Sequence, residues 1–351
     1  MKKVTILIIV LGLGILAFKL YKARAKTSAA DSSLVSPDKT TGINKVLSVI
    51  ESQTPDLKVN ASGTNMDQLQ AKQFGFVYVS NSETTTVSKC PIIDANGTIG
   101  KCLTTGNGFV APSGISLVSH NQEAYIANDG SNSVSLCTIS NTGDLVNCNP
   151  TGNDFSNPSG IATDNQQLYS YVTNQLANTL SRCKHLENGE LNSCKTVLTC
   201  LSAPTDINFD PSNSYVYIAN SSANSIWLCK IDVKLGVLSN CHSTGNDFAD
   251  PQSVTINPTG QYAYITNQLA NTVSLCMVDQ TSGELQNCSA TGGGFHAPSD
   301  FTFNGSGSLA FISNPDSISV CQVGQDGKLG SCTEYEGNFN HSTGIRIIDG
   351  L

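Results

Sequence analysis

The sequence predicts an all-β protein, a six-bladed β-propeller with four antiparallel strands in each blade. A tetrad of aromatic, aliphatic, small and Asn residues occurs six times, at spacings of 46 or 47 residues. Two cysteines follow each tetrad, 11 or 12 residues apart. A repeat of about 45 residues that divides into four short strands is typical of a propeller blade. The tetrads begin at Tyr78, Tyr125, Tyr171, Tyr217, Tyr264 and Phe311.

The second repeat shows how one blade is built. Its strands, lettered A to D along the chain, are predicted at residues 115–119, 123–127, 133–139 and 144–149. In strand C, Val134 and Leu136 alternate with Ser135 and Cys137, which is the period of a half-buried strand. Turn residues separate the four segments, and no apolar period near 3.6 suggests a helical repeat.

The two ends of the repeat region complement each other. The first repeat begins at Phe76 and has no strand A, whereas residues 342–351 resemble a strand A without the rest of its repeat. The C-terminal strand is therefore predicted to join the first blade and close the ring over residues 74–351. Closure leaves no sheet edge exposed between the first and last blades.

The cysteines predict one disulfide between strands C and D of every blade. A glycine lies five residues before each second cysteine, so the one-residue difference in separation falls in the turn and the strands keep their register. Each bond would stabilise the fold by about 3 kcal/mol in the chain-entropy model. Six such bonds imply an oxidising compartment. The predicted pairs are Cys90–Cys102, Cys137–Cys148, Cys183–Cys194, Cys229–Cys241, Cys276–Cys288 and Cys321–Cys332.

Cys200 is the thirteenth cysteine and is predicted to remain a free thiol. Its neighbours Leu198 and Leu201 favour a buried, unreactive position. The alternative is a thiol that pairs with another molecule.

The N-terminal part of the chain is predicted to direct export. Lys2 and Lys3 precede an apolar run over residues 4–18, so residues 1–26 are predicted to be a signal peptide or an uncleaved membrane anchor. Residues 27–73 are rich in polar residues and are predicted to form a tether. The expected location is extracytoplasmic: periplasmic, in the cell envelope or secreted, with inner-membrane anchoring by residues 4–18 as one alternative.

Charge excludes one class of partner. Charged residues make up only 13% of the chain, and 33 asparagines supply much of the polarity. Residues 1–73 carry a net charge of +5, whereas residues 74–351 carry −13. Nucleic-acid binding requires a basic surface, so it is not expected of this acidic domain.

The connections from D to A and from B to C are predicted to lie on one face of the ring, named the loop face. Their repeated Gly and Asn residues favour a structural role, because these residues permit tight turns. Residues that differ between repeats are the better candidates for ligand binding. On the loop face these are His296, Tyr335, Glu336 and His341.

Strand A is predicted to line the central channel, where Asp206 and Asp300 occupy the same repeat position and Arg346 is a further candidate. Two carboxylates at one level of a channel could hold a hard cation. The alternative is that they cap the turns after Pro204 and Pro298.

The tetrads, notably Tyr171-Val172-Thr173-Asn174 followed by Asn178-Thr179-Leu180-Ser181, resemble the YVTN-type β-propeller repeat. Such repeats are similar to those of lactonase-like and streptogramin-lyase-like (NHL-like) propellers and of bacterial surface proteins. The resemblance covers residues 74–351. For the enzymes of this group it implies a divalent cation at the channel mouth, held by acidic or His residues.

Three functions are weighed, and no catalytic motif decides among them. The first is an exported, non-enzymatic module that binds a protein or a glycan through its loop face and needs no cofactor. The second is a lactonase or lyase that depends on Ca²⁺ or another divalent cation, with Asp206, Asp300 and His296 at the channel mouth. The third is a structural component of the envelope. We expect the first, with membrane contact only through an uncleaved N-terminal segment.

Overall fold

Six four-stranded antiparallel sheets make up the part of the chain that the computed structural model describes, residues 74–118 and 122–350. The six-bladed propeller is confirmed. The predicted signal peptide or anchor (1–26) and tether (27–73) lie outside the described residues. Blade 1 contains β24 (Ser342–Ile348), β1 (Phe76–Asn81), β2 (Thr86–Pro91) and β3 (Leu103–Thr105). Blade 2 contains β4 (Pro112–Val118), β5 (Glu123–Asn128), β6 (Ser133–Ile139) and β7 (Leu145–Thr151).

The next four blades repeat this order, with strand A first. Blade 3 contains β8 (Pro158–Thr163), β9 (Tyr169–Asn174), β10 (Thr179–His185) and β11 (Leu191–Leu198). Blade 4 contains β12 (Pro204–Phe209), β13 (Tyr215–Asn220), β14 (Ser225–Asp232) and β15 (Val237–Thr244). Blade 5 contains β16 (Pro251–Ile256), β17 (Tyr262–Asn267), β18 (Thr272–Val278) and β19 (Leu285–Thr291). Blade 6 contains β20 (Asp300–Phe303), β21 (Leu309–Asn314), β22 (Ser317–Val323) and β23 (Leu329–Glu336). Two short 3-10 helices, Asp129–Ser131 and Ser221–Ala223, lie in B-to-C connections.

The ring closes in blade 1 as the sequence predicts. Strand β24 pairs antiparallel with β1, and Phe76 lies opposite Ile348. The C-terminal strand thus supplies the strand A that the first repeat lacks. Strand A begins earlier than predicted in blade 2, at Pro112 rather than Ile115.

The hydrophobic cores lie between blades rather than within them. Each of the six buried clusters combines residues of two neighbouring blades. Phe109, for example, packs in one cluster with Phe76 of blade 1 and Leu145 of blade 2. A blade alone would leave both of its faces exposed, so the ring is the smallest unit that buries them.

The tetrad asparagines fasten the loop face. All six side-chain carbonyls accept a hydrogen bond from a backbone N–H in the preceding D-to-A connection. Five of the side-chain amides also donate to a serine of strand C, as Asn128 does to Ser135 at 2.9 Å. In blade 4 the serine is replaced by Trp227, and the amide nitrogen of Asn220 is buried without a partner in the described residues. These contacts support the structural role that the sequence analysis favours for the repeated asparagines of the loop face.

Four of the tetrad tyrosines connect their blade to the next one. Their hydroxyls donate to the carbonyl of the turn glycine between strands C and D of the following blade; Tyr217 reaches Gly283 at 2.7 Å. Burial raises the pKa of these tyrosines, so the hydroxyls stay protonated donors. Between blades 3 and 4, Arg182 donates to the Gly236 carbonyl instead, at 2.5 Å. The Tyr171 hydroxyl is consequently buried with no hydrogen-bond partner in the part of the chain described.

All six predicted disulfides are present, one in each blade. The cysteines keep one register in all six blades, whether 11 or 12 residues separate them, so the one-residue difference falls in the turn as predicted. In blades 2 to 5 this shared register includes a β-bulge opposite the first cysteine. In blade 2, Leu136 pairs with Asn149 and Thr138 with Val146, so two residues of strand D face Cys137. This β-bulge re-aims the second cysteine towards the first. The residue before that cysteine has positive φ in all four blades: Asn147, Ser193, Asn240 and Asn287.

Cys200 is a free thiol, but it is exposed, contrary to the buried position that its neighbours suggest. Leu201 takes the place that phenylalanine occupies in the other D-to-A connections, and it is 7% exposed. Because the side chain of Leu201 is buried, the side chain of the preceding residue, Cys200, faces solvent. Within residues 74–118 and 122–350, no helix has the length and apolarity needed to cross a membrane.

The tyrosine contacts predict different costs for the same mutation in two blades. Tyr217→Phe should lower the free energy of unfolding by about 1 kcal/mol, because it leaves a buried carbonyl without its donor. Tyr171→Phe is the matched control and should leave the free energy of unfolding unchanged or slightly raised, since it removes a buried hydroxyl that has no partner. Urea denaturation of the two variants measures the difference, and equal losses would contradict the assignment.

Cysteine exposure predicts the outcome of a thiol titration. The oxidised native protein should react with one equivalent of a thiol reagent per chain, because Cys200 is the exposed free cysteine. Cys200→Ser should abolish the reaction. Two or more reactive thiols in the unreduced native protein would refute the disulfide assignment.

Candidate functional site

The channel end nearest the loop face differs between the two halves of the ring. In blades 1, 2 and 3 the second residue after the start of strand A is glycine: Gly344, Gly114 and Gly160. A Cβ atom at Gly114 would lie 2.3 Å from the Ser159 carbonyl oxygen, so adjacent strands are too close for a side chain. Blades 4 and 6 instead place Asp206 and Asp300 at this level.

Asp300 connects its blade to blade 1 and holds a guanidinium group. Its Oδ2 accepts hydrogen bonds from the Ile345 N–H at 2.9 Å and from Nη1 of Arg346 at 2.6 Å. Its Oδ1 accepts from the Phe301 N–H at 2.7 Å. The side chain of Asp300 is 7% exposed, and that of Arg346 is 16% exposed. Asp300 therefore does more than cap the turn after Pro298.

Asp206 performs the equivalent connection between blades 4 and 5. Its Oδ2 accepts from the Val254 N–H at 3.1 Å, and no side chain in the described residues forms an ion pair with it. The residue is buried. Asp206 also interacts electrostatically with Asp300 and Arg346. The guanidinium is engaged through a single nitrogen, Nη1.

In this arrangement the carboxyl group of Asp206 has a pKa close to neutral pH. Burial, reinforced by the charge of Asp300, raises the pKa of Asp206 to about 7, while Arg346 opposes the shift. Burial also raises the pKa of Asp300, against the opposing effect of Arg346. One guanidinium cannot neutralise two buried carboxylates, so Asp206 is the group that retains a proton around neutral pH.

These residues fit a divalent cation poorly. Such an ion takes six or more oxygen ligands, whereas Asp300 is already bonded to Arg346 and two backbone amides. The guanidinium would repel a second cation at the same place. In residues 74–118 and 122–350, no three His, Cys, Asp or Glu side chains are grouped as metal ligands.

The remaining predicted residues lie elsewhere. Tyr335 packs at the edge of the core between blades 6 and 1. His341 is exposed at φ +54°, and its carbonyl accepts from Ser82. His296 lines a pocket of about 500 Å³ on the loop face of blade 6, together with Glu336. The structure therefore separates a channel group (Asp206, Asp300 and Arg346) from this blade 6 pocket.

Sequence reasoning missed other residues of the blade 6 pocket, among them Pro315, Asp316 and Glu334. A signal for them exists. The tetrad asparagine and its serine partner are seven residues apart in four blades but five apart in blade 6, Asn314 to Ser319. The shortened B-to-C connection leaves the depression open.

A comparison with protein families decides the relationship of the chain. The model described as "Lactonase, 7-bladed beta-propeller" matches residues 115–248 and 243–347, which together exceed half of the chain. The chain belongs to this family. As a lactonase-family propeller it departs from the description in having six blades rather than seven.

Solved structures show the same fold at low sequence identity. A candidate 6-phosphogluconolactonase of Bacteroides uniformis has 17% identity and a TM-score of 0.57, covering 78% of this chain and 85% of its own. The periplasmic gluconolactonase of Pseudomonas aeruginosa has 15% identity and a TM-score of 0.56, covering 75% and 80%. A chain of the nidogen/laminin complex has 13% identity and a TM-score of 0.61, covering 78% and 97%. No curated protein matches the sequence significantly.

The raised pKa predicts a pH-dependent effect of Asp206→Asn on stability. A carboxyl group whose pKa is higher in the folded protein stabilises the fold at low pH, and this contribution is lost as pH rises from about 4 to about 7. The melting temperature of the variant relative to wild type should therefore rise between pH 4.5 and pH 8. Asn208→Ala, which changes no titrating group, should show a pH-independent difference. A constant difference for Asp206→Asn would contradict the assignment.

Proposed function

We propose that this propeller is an extracytoplasmic lactone hydrolase whose reaction centre is the channel group. The observation that carries the proposal is the Asp300–Arg346 ion pair on inner strands of the channel, coupled electrostatically to Asp206, in a chain of the lactonase propeller family. Family membership favours an enzyme over the non-enzymatic binder expected from sequence. Six disulfides support an oxidising environment outside the cytoplasm.

The three side chains suit the steps of lactone hydrolysis. A carboxyl group with a pKa of about 7 can accept and return a proton at neutral pH, as a general acid–base requires. Arg346 has donors left for a negatively charged oxygen, because only Nη1 bonds to other described residues. Asp300 fixes the guanidinium through the 2.6 Å contact and acts as a positioning residue.

The proposed reaction proceeds as follows. The Asp206 carboxylate takes a proton from water, and the resulting hydroxide adds to the ring carbonyl carbon. The carbonyl oxygen becomes an oxyanion, which Arg346 stabilises. The bond between the acyl carbon and the ring oxygen then breaks, and Asp206 returns its proton to that oxygen. The product is the open hydroxy acid, and the enzyme regains its initial state.

The substrate class is proposed to be sugar lactones, following the printed descriptions of the gluconolactonase and 6-phosphogluconolactonase relatives. Glucono-δ-lactone, its 6-phosphate and a non-sugar γ-lactone form the first panel. The oxidised full chain should hydrolyse at least one of them faster than buffer does, measured by acid release in a weakly buffered assay. No acceleration with any of the three would overturn the proposal as stated.

Asp206→Asn should lower kcat/KM by about 100-fold or more, since general acid–base groups contribute on that order. Asp210→Asn is the matched control, because it removes a carboxylate from the opposite end of the same blade's inner strand region. It should retain wild-type activity. Activity should rise with pH through about 7 as Asp206 ionises.

Chelation gives a separate test of the chemistry. Excess EDTA should leave kcat/KM unchanged, because the channel group does not resemble a cation site. Loss of activity on chelation, with recovery on adding Ca²⁺ or another divalent cation, would support the metal-dependent alternative instead.

A further inference from the structure

The loop face carries negative charge without a compensating lysine or arginine. Its B-to-C connections cover residues 82–85, 129–132, 175–178, 221–224, 268–271 and 315–316, and its D-to-A connections cover 106–111, 152–157, 199–203, 245–250, 292–299 and 337–341. They contain no Lys or Arg. They contain six carboxylates: Glu83, Asp129, Asp154, Asp247, Asp250 and Asp316. Arg346, in strand A of blade 1, forms an ion pair with Asp300 in the channel.

The blade 6 pocket is where this charge meets a cavity. Asp316, Glu334 and Glu336 are exposed at its border, and Ala297 and Pro315 contribute an apolar surface. Glu334 is held in place by the hydroxyl of Ser317, which donates to its Oε1 at 2.5 Å. The volume of about 500 Å³ is in the range of ligand sites.

The pocket in blade 6 has a local cause. In blade 5 the B-to-C connection extends to Asn271, whose side-chain carbonyl accepts from the Ala297 N–H at 2.6 Å. Blade 6 lacks the two residues that would make the equivalent contact, and Ser342 donates instead to the Pro315 carbonyl at 3.0 Å. Glu336 replaces the glycine found at the matching position of blade 5, Gly292. Blade 6 therefore has both a shorter B-to-C connection and an additional carboxylate, that of Glu336.

We propose that the loop face is a docking surface for a basic segment of a partner protein, and that the blade 6 pocket receives a lysine or arginine side chain of it. A lysine or arginine side chain has an apolar stem and a charged end. The stem matches Ala297 and Pro315, and the charge matches the three carboxylates. The carboxylates spread over the other loops attract further basic residues of the same segment.

This surface is separate from the channel group, with which it shares no residue. Binding therefore does not depend on the proposed hydrolysis, and either can fail without the other. An anionic partner is disfavoured by the absence of Lys and Arg from these loops. A bound metal ion is disfavoured because the described residues contain no grouped set of three metal-ligating side chains.

The experiment measures binding of fluorescein-labelled hexalysine to the oxidised full chain by fluorescence anisotropy. The double variant Asp316→Asn/Glu336→Gln should raise the Kd by about tenfold at low ionic strength. The matched control is Glu187→Gln/Glu190→Gln, which removes two exposed carboxylates from the opposite face. It should change the Kd less than about twofold, since it leaves the loop face intact. The same peptide with acetylated lysines should not bind.

Several results would overturn the proposal. One is no binding of hexalysine, and another is equal weakening by the two double variants, which would indicate attraction to net charge alone. A third is binding only after Lys19, Lys22, Arg24 and Lys26 are neutralised, which would identify the chain's own basic segment as the occupant. Thermal unfolding of each variant confirms that it is folded, whatever its hydrolytic activity.

Discussion

Burial between neighbouring blades is the constraint on which the structure depends. Each apolar cluster needs residues from two sheets, so a blade is completed only when both neighbours are present. The pairing of β24 with β1 gives the first blade its second neighbour. Apolar burial is non-directional and does not by itself fix the position of one blade against the next. The tetrad tyrosines and asparagines add directional hydrogen bonds to it.

The inner strands depart from six-fold symmetry where they contact the neighbouring blade: some carry glycine at this contact and others carry aspartate. Glycine at one level of the channel lets the strands of blades 1 to 3 approach closely. In blades 4 and 6 an aspartate at this level accepts a hydrogen bond from a backbone N–H of the next blade's inner strand. The carboxylates replace direct packing with hydrogen bonds to the next strand. Burying two of them beside one guanidinium then produces the raised pKa of Asp206. The same substitution that adapts the ring thus creates its titrating group.

The fold could be predicted from sequence because its signals recur within one repeat. Tetrad spacing, turn glycines and cysteine pairs recur at fixed positions in every repeat, and the closing strand is recognisable by its absence from the first repeat. Contacts between blades left no such signal: neither the Tyr217–Gly283 bond nor the ion pair of Asp300 and Arg346 follows from the repeat. The exposure of Cys200 was mispredicted because Leu201, not the cysteine, fills the phenylalanine position. Asp206, Asp300 and Arg346 could be selected by position, but not the contacts they make.

Every disulfide joins the two outermost strands of a single hairpin, and none joins one blade to another. The partner of each bonded cysteine lies at most 12 residues away along the chain. Each disulfide can therefore form within its own hairpin before the ring has closed. The disulfides therefore constrain single hairpins, whereas non-covalent contacts between blades hold the ring closed.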